Sequence, residues 1–311
     1  MDTPTPGPQN AGVNRDSGQG RAVAMVLGSC TSLQIGAAIA VPVMGEVGSW
    51  LTTAVRLLLA SAILVMLTRP PLRAWSRGQW RRVVLYGVTL GGMNGTFYAA
   101  IDRIPLAIAV TIEFLGPLVL AAVLSRRARD IAWVLVAAGA VAVLGFSKSP
   151  ETSASGGGLD PVGVLFAFIS AGFWAAYILA GKSVAAEVKG QAPLAIAMLV
   201  GGSLMVPLAA PSVGRLADQP VLLLSLVGVA LLSSVIPYSL ELAALRRLPA
   251  RVFGVLLSLE PVVAGIFGWL LLGQHLSVVQ IPAMVAVLAA SVATTLSGSS
   301  QEGVGPVDPT T

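Results

Sequence analysis

The chain has 311 residues, of which 55% are hydrophobic and 11% charged, with a mean hydropathy of +0.84. A soluble domain carries about 25% charged residues, so the polar surface that a water-soluble protein of this length needs is missing, and lipid must be the solvent for most of the chain. The net charge of +5 and pI near 9.9 therefore read as a topology signal rather than a nucleic-acid footprint. A single cysteine, Cys30, excludes an intramolecular disulfide and reads as a small buried hydrophobe.

Residues 1–21, rich in Pro, Gly and Asn, predict a disordered cytoplasmic tail. The apolar run that follows is longer than a signal peptide's core and has no clear cleavage site, so it reads as a retained helix. Charge clusters and Pro/Gly breaks then cut the chain into ten apolar runs: 22–43, 50–68, 83–101, 105–124, 131–147, 162–181, 193–210, 221–245, 249–273 and 277–296. Each is long enough to cross ~30 Å of hydrocarbon as a helix. The organisation expected is a first five-helix unit at 22–147, an extracytoplasmic linker at 148–161 and a second five-helix unit at 162–296. A disordered cytoplasmic tail at 297–311 completes it.

Placing both termini in the cytoplasm tests this cutting. The inner connections then collect Arg15, Arg21, Arg69, Arg73, Arg77, Arg81, Arg82, Arg126, Arg127, Arg129, Lys182, Lys189, Arg246, Arg247 and Arg251, against Arg103, Lys148 and Arg215 outside. Fifteen against three is a strong positive-inside bias.

The segment "AAIDRIPLAIAVTIEFLGPLV" (99–119) lies without gaps on "AALRRLPARVFGVLLSLEPVV" (243–263). Seven of twenty-one positions are identical, including Arg103 with Arg247, Pro105 with Pro249 and Pro117 with Pro261. That sets span four on span nine. Five spans is an odd number, so the second unit enters the membrane in the opposite sense. Inverted repeats are the usual plan of secondary transporters, with the substrate near the midplane between halves. Chance similarity between apolar helices is the competing explanation. The fold class expected is an all-α integral membrane protein, with ten transmembrane helices in two inverted five-helix repeats.

Four ionisable residues fall within spans: Arg56, Glu113, Glu241 and Glu260. Such residues generally face a bundle interior and mark substrate or ion pathways. Glu113 lies ~12 Å beyond Pro105, and Glu260 is about as deep from Val252, so each needs an internal partner or a proton. In the alignment Glu113 stands opposite Leu257 and Glu260 opposite Gly116, one turn out of register. Glu241 has two readings, a cavity residue or an interfacial ion pair with Arg246 and Arg247. Arg56 has three: snorkelling to the interface, countering a buried glutamate, or binding a substrate carboxylate.

Pro117 and Pro261 predict kinks beside the glutamates. Gly91, Gly92 and Gly95 of "GGMNGTFY" permit close helix packing, while Asn94 and Tyr98 offer hydrogen bonds. Trp174 and Tyr177 of "FWAAY" either gate or stack on a substrate, or pack. Gln34 is a further polar candidate.

Enzyme signatures are scarce. One histidine, His275, leaves no HExxH pair and no metal site. No G-x-S-x-G elbow and no phosphate-binding G-x-x-x-x-G-K-[ST] loop occur. No metal or other cofactor is expected.

The residues themselves are more specific than hydropathy. "SSVIPYSLELAALRRLPARVFGVLLSLEPVVAGIFGWLLLGQHLS" (233–277) closely resembles threonine/homoserine exporters of the EamA type, in the drug/metabolite transporter superfamily. "FYAAIDRIPLAIAVTIEFLGPL" (97–118) and "SLQIGAAIA" (32–40) are similar to other parts of the same proteins, and the resemblance covers 22–296. It implies a non-enzymatic exporter of small amino acids across a bacterial cytoplasmic membrane, driven by proton antiport. Its partners would be an amino acid, protons and the bilayer; the oligomeric state stays open. Glu113, Glu260 and Glu241 stand where the family has glutamates in "EF-x-GP", "SLEP" and "PYSLE". One departure is Gly273-Gln274-His275, where such proteins often have "GE". Export of another metabolite or a drug, or intramembrane enzymatic chemistry, are the alternatives.

Overall fold

The computed structural model describes residues 10–125, 127–146, 159–188, 190–218 and 220–298. Both chain ends, most of the expected linker (148–158), and Arg126, Lys148 and Lys189 of the charge count lie outside the described residues. The regular structure among the described residues is helical, with no strand. A chain dissolved in hydrocarbon must satisfy its backbone polar groups internally, and a helix does so within one segment.

The first helix, α1 (Asn10–Val47), starts well before the expected residue 22. Only Gly48, at φ 85°, separates α1 from α2 (Ser49–Thr68). A capping box of Ser76 and Gln79 starts α3 (Arg77–Ile101). Two short helices follow, α4 (Leu106–Glu113) and α5 (Leu115–Ser125), then α6 (Ala128–Phe146). Asp160 accepts the Val162 N–H at 2.8 Å and, with Pro161 in the first turn, starts α7 (Pro161–Ala185).

Next, α8 (Ala192–Ala209) runs through one 3₁₀ turn into α9 (Val213–Asp218). Between α10 (Pro220–Ala230) and α11 (Ile236–Leu245) lies a π-helical segment, Leu231–Val235. The chain ends in α12 (Ala250–Leu257), α13 (Glu260–Leu272) and α14 (Gln280–Gly298).

Among the described residues, seven helical stretches are long and apolar enough to cross a membrane, with a shorter apolar helix at Gln280–Leu296. Two expected spans, in α3 and α6, fall outside the seven. Outward-facing Leu85, Val123, Leu135, Leu165, Leu224 and Leu270 are exposed. Side chains of this kind suit lipid. The chain is a multi-pass membrane protein.

Helices from the two ends of the chain interleave: α3 packs on α7, α2 on α8, α6 on α14, α1 on α11, and α4 on both α7 and α13. The closest approaches use glycine. A Cβ on Gly91 would lie 2.6 Å from the Gly201 Cα, so α3 and α8 meet backbone to backbone. The core surrounds α4, whose eight residues are all buried.

Candidate functional site

Both of the helical rods that carry deep glutamates are broken. The first breaks at Phe114 (φ −60°, ψ −17°), between α4 and α5, and the second at Ser258 (φ −60°, ψ −14°), between α12 and α13. The sequence predicts a kink at each proline, and each break lies in the turn before one. Pro117 and Pro261 sit in the first turns of α5 and α13, where a missing N–H costs little. They cannot donate to the carbonyls of Glu113 and Leu257 four residues back, which removes a bond each rod would need in order to continue.

The breaks face a cavity of about 930 Å³ inside the bundle. Its wall includes Gln34, Arg56, Asn94, Tyr98, Glu113, Trp174, Tyr177, Glu241 and Glu260, together with Pro117. All the polar and aromatic candidates from the sequence therefore converge on one space, although they come from seven helices. Pro261 is not part of the wall.

Arg56 is 1% exposed. It neither snorkels nor counters a glutamate. Its guanidinium donates to the Ser233 carbonyl at 3.1 Å, to Ser234 Oγ at 3.0 Å and to Asn94 Oδ1. It also lies 4.4 Å from the centre of the Tyr98 ring, a cation–π contact. Asn94 is fixed by donating to the Leu90 carbonyl at 2.8 Å, and the Tyr98 hydroxyl reaches Ser233 Oγ at 3.3 Å. Neutral partners leave the positive charge uncompensated, and Arg56 Nε and Gln34 Oε1 are buried without hydrogen-bond partners among the described residues. An anion entering the cavity would find a prepared counter-charge.

The carboxylates are held differently. Glu113, 8% exposed, accepts from Ser170 Oγ of α7. Glu241 accepts from Ser29 Oγ of α1 at 2.6 Å. It is not the interfacial ion pair that was the alternative: Arg247 turns away to the Ala243 carbonyl at 2.6 Å, and Glu241 faces the cavity. Glu260, 6% exposed, has no hydrogen bond and no ion pair among the described residues. The aromatics pack and also line the space. Trp174 sits edge-on to Phe114 at 4.9 Å, and Tyr177 stacks on Tyr86 at 4.8 Å, with their hydroxyls 2.8 Å apart.

Sequence reading missed Ser29, Ser170, Ser233, Ser234, Tyr86 and Tyr238. Serines are too common within apolar helices to stand out. Tyr238, which lines the cavity from inside the "PYSLE" motif, was the one with a visible signal.

At one end the wall reaches Lys182 in the last turn of α7, and Gly190, Gln191 and Arg246 in the α7–α8 and α11–α12 connections. At the other end Arg103 pairs with Asp160 at 3.1 Å, and Gln274 Oε1 accepts the Leu106 N–H at 3.0 Å; none of these four residues lines the cavity. Slight desolvation pushes the Asp160 carboxyl up, but the N–H groups of Val162 and Gly163 and the Arg103 side chain outweigh it and hold it below the usual carboxylate range. Among the described residues no cluster of His, Cys, Asp and Glu could hold a metal.

Comparison with known proteins places this arrangement. The model of the EamA-like transporter family matches residues 161–296. The threonine/homoserine exporters RhtA of Escherichia coli (strain K12) and Salmonella typhimurium (strain SL1344) are each 38% identical over 287 residues, 92% of this chain and 95% of theirs. A solved crystal structure matches with a TM-score of 0.53 at 21% identity, over 93% of this chain and 99% of that one, a likeness of fold. With such identity over nearly its whole length, the chain belongs to the EamA-like transporter family.

Proposed function

We propose that this protein exports small amino acids of the threonine/homoserine kind across a bacterial cytoplasmic membrane, by proton antiport and alternating access. The observation that carries the reading is the cavity, in which an uncompensated Arg56 and three carboxylates share one buried space. A zwitterion needs this pairing, with a cation for its carboxylate and an anion for its ammonium group. A proton and the ammonium group compete for the same carboxylate. Each stabilises a different orientation of the protein, which couples proton entry to substrate exit.

The proposed architecture is ten spans in two inverted five-helix repeats, 22–147 and 162–296, with both termini cytoplasmic. The matched breaks support it: α4 and α12 each have eight residues, follow Pro105 and Pro249, and align residue for residue under the match of Arg103 with Arg247. In that topology Lys182, Gln191 and Arg246 are cytoplasmic, and the conformation described is inward-facing.

Uptake into inverted vesicles with an imposed proton gradient tests the reading. Threonine and homoserine accumulate if it is right. A volume of about 930 Å³ lies at the upper end for drug-sized ligands, which favours a second reading, export of a larger metabolite or drug. Transport of such compounds alone would establish that alternative. Chemical turnover without any gradient would instead identify an enzyme.

A further inference from the structure

Three carboxylates line the cavity, and two of them are held by a serine from the other half of the chain. Ser170 on α7 (second half) reaches Glu113 on α4 (first half). Ser29 on α1 (first half) reaches Glu241 on α11 (second half). Each serine also has a backbone carbonyl within reach, Met93 at 2.9 Å for Ser170 and Pro237 at 3.3 Å for Ser29.

A hydroxyl has one proton to give and two lone pairs to receive with. When the glutamate is ionised, the serine donates to it. When the glutamate is protonated, its O–H donates to the serine oxygen and the serine turns its own proton to the carbonyl. Both protonation states are therefore satisfied, and neither Glu113 nor Glu241 is driven to seek another cation. Glu260 has no such arrangement. A buried carboxylate without a donor is costly unless it holds a proton or meets a cation.

We propose that Ser29 and Ser170 are matched positioning residues, each holding one glutamate of the opposite half, and that Glu260 is the carboxylate that exchanges a proton for the substrate's ammonium group. The proposal deepens the exporter reading and rests on it for the identity of the cation. The proposal makes exchange obligatory: Glu260 is not left bare while the site changes sides, so one ligand must replace the other.

The test is labelling of purified full-length protein with a hydrophobic carbodiimide, which adds to a carboxylic acid in apolar surroundings and leaves an N-acylurea of known mass. Peptide mapping then reads each glutamate separately. Glu260 is expected to label and to be protected by threonine, with Glu113 and Glu241 labelling about tenfold less, the worth of one hydrogen bond to a charged group. Ser170→Ala raises labelling at Glu113 alone, and Ser29→Ala at Glu241 alone. Ser170→Thr and Ser29→Thr, which keep the hydroxyl, leave labelling at the parent level. A general loosening of the fold would raise all three sites together. If an alanine form fails to fold, Ser→Cys replaces it, with similar volume and a weaker donor. Equal labelling of the three glutamates in the parent protein, or a serine variant whose own glutamate stays protected, overturns the proposal. If the labelling pattern holds but vesicles carry no threonine, the exporter reading fails and the serine assignment stands.

Discussion

Between α4 and α5 the chain turns at Phe114, and between α12 and α13 it turns at Ser258, with backbone angles that agree within 3°. The side chains around the two breaks do not agree. The first carries its acid, Glu113, on the last residue before the break, and a glycine, Gly116, just after it. The second has Leu257 and Glu260 at the corresponding places. The neighbours explain the exchange. A Cβ on Gly116 would lie 2.0 Å from the Ala171 carbonyl oxygen, so α5 is seated directly on α7 and no side chain fits. Glu260 occupies the equivalent position because α13 begins against the cavity instead. One backbone thus serves two purposes. The first break is pressed onto its neighbour and bonded to it through Ser170; the second presents an unheld acid to an open space.

Replacing the two acids should separate these roles most sharply. Glu260→Gln is expected to bring proton-coupled threonine exchange in reconstituted vesicles to background while the protein stays folded. Glu113→Gln, which removes a held acid, should lower it by about tenfold. Equal losses would dissolve the distinction between the breaks.

The next largest effect is on stability. Gly116→Ala forces a methyl group into the Ala171 carbonyl, and such overpacking costs about 1–3 kcal/mol or more. Glu260→Ala at the matching position removes a buried polar group that has no partner, and should leave stability unchanged or raise it. Thermal unfolding of both variants in one detergent checks the pair.

Arg56→Lys probes the wall that both breaks face. A lysine keeps the charge but loses the fork that reaches Ser233, Ser234 and Asn94 together. The half-saturating threonine concentration should rise by about tenfold, with a smaller change for an amine that lacks the carboxylate.

The smallest expected effect concerns the start of α4. The Leu106 N–H is held by Gln274. Gln274→Ala should cost about 1 kcal/mol and speed hydrogen exchange at the Leu106 amide, leaving Ala250 at the start of α12 unchanged. Faster exchange at both would mean the two rods open as one unit.

Much of the site was legible in the sequence. A charged residue within an apolar helix is expensive enough to stand out against its neighbours, which marked Arg56, Glu113, Glu241 and Glu260. The alignment of 99–119 on 243–263 located the two rods and their prolines. What it could not supply was the nature of the interruption. Proline marks the neighbourhood of each interruption, and only the structure places the turn at Phe114 and Ser258. Partners were less visible still. Ser170 is 57 residues from Glu113, and Ser29 is 212 from Glu241. No local pattern connects them.

The sequence by itself determined the solvent, the helical class and the short set of residues too polar for it, because hydropathy and charge are properties of the composition along the chain. The tertiary structure decided which acids have donors, that Arg56 leans on neutral groups and an aromatic ring rather than on a glutamate, and that nine candidates from seven helices meet in one cavity. Those outcomes depend on distances between segments far apart in the chain. Such distances are set by how the two halves interleave, down to the single contact that leaves room for glycine at 116 and for glutamate at 260.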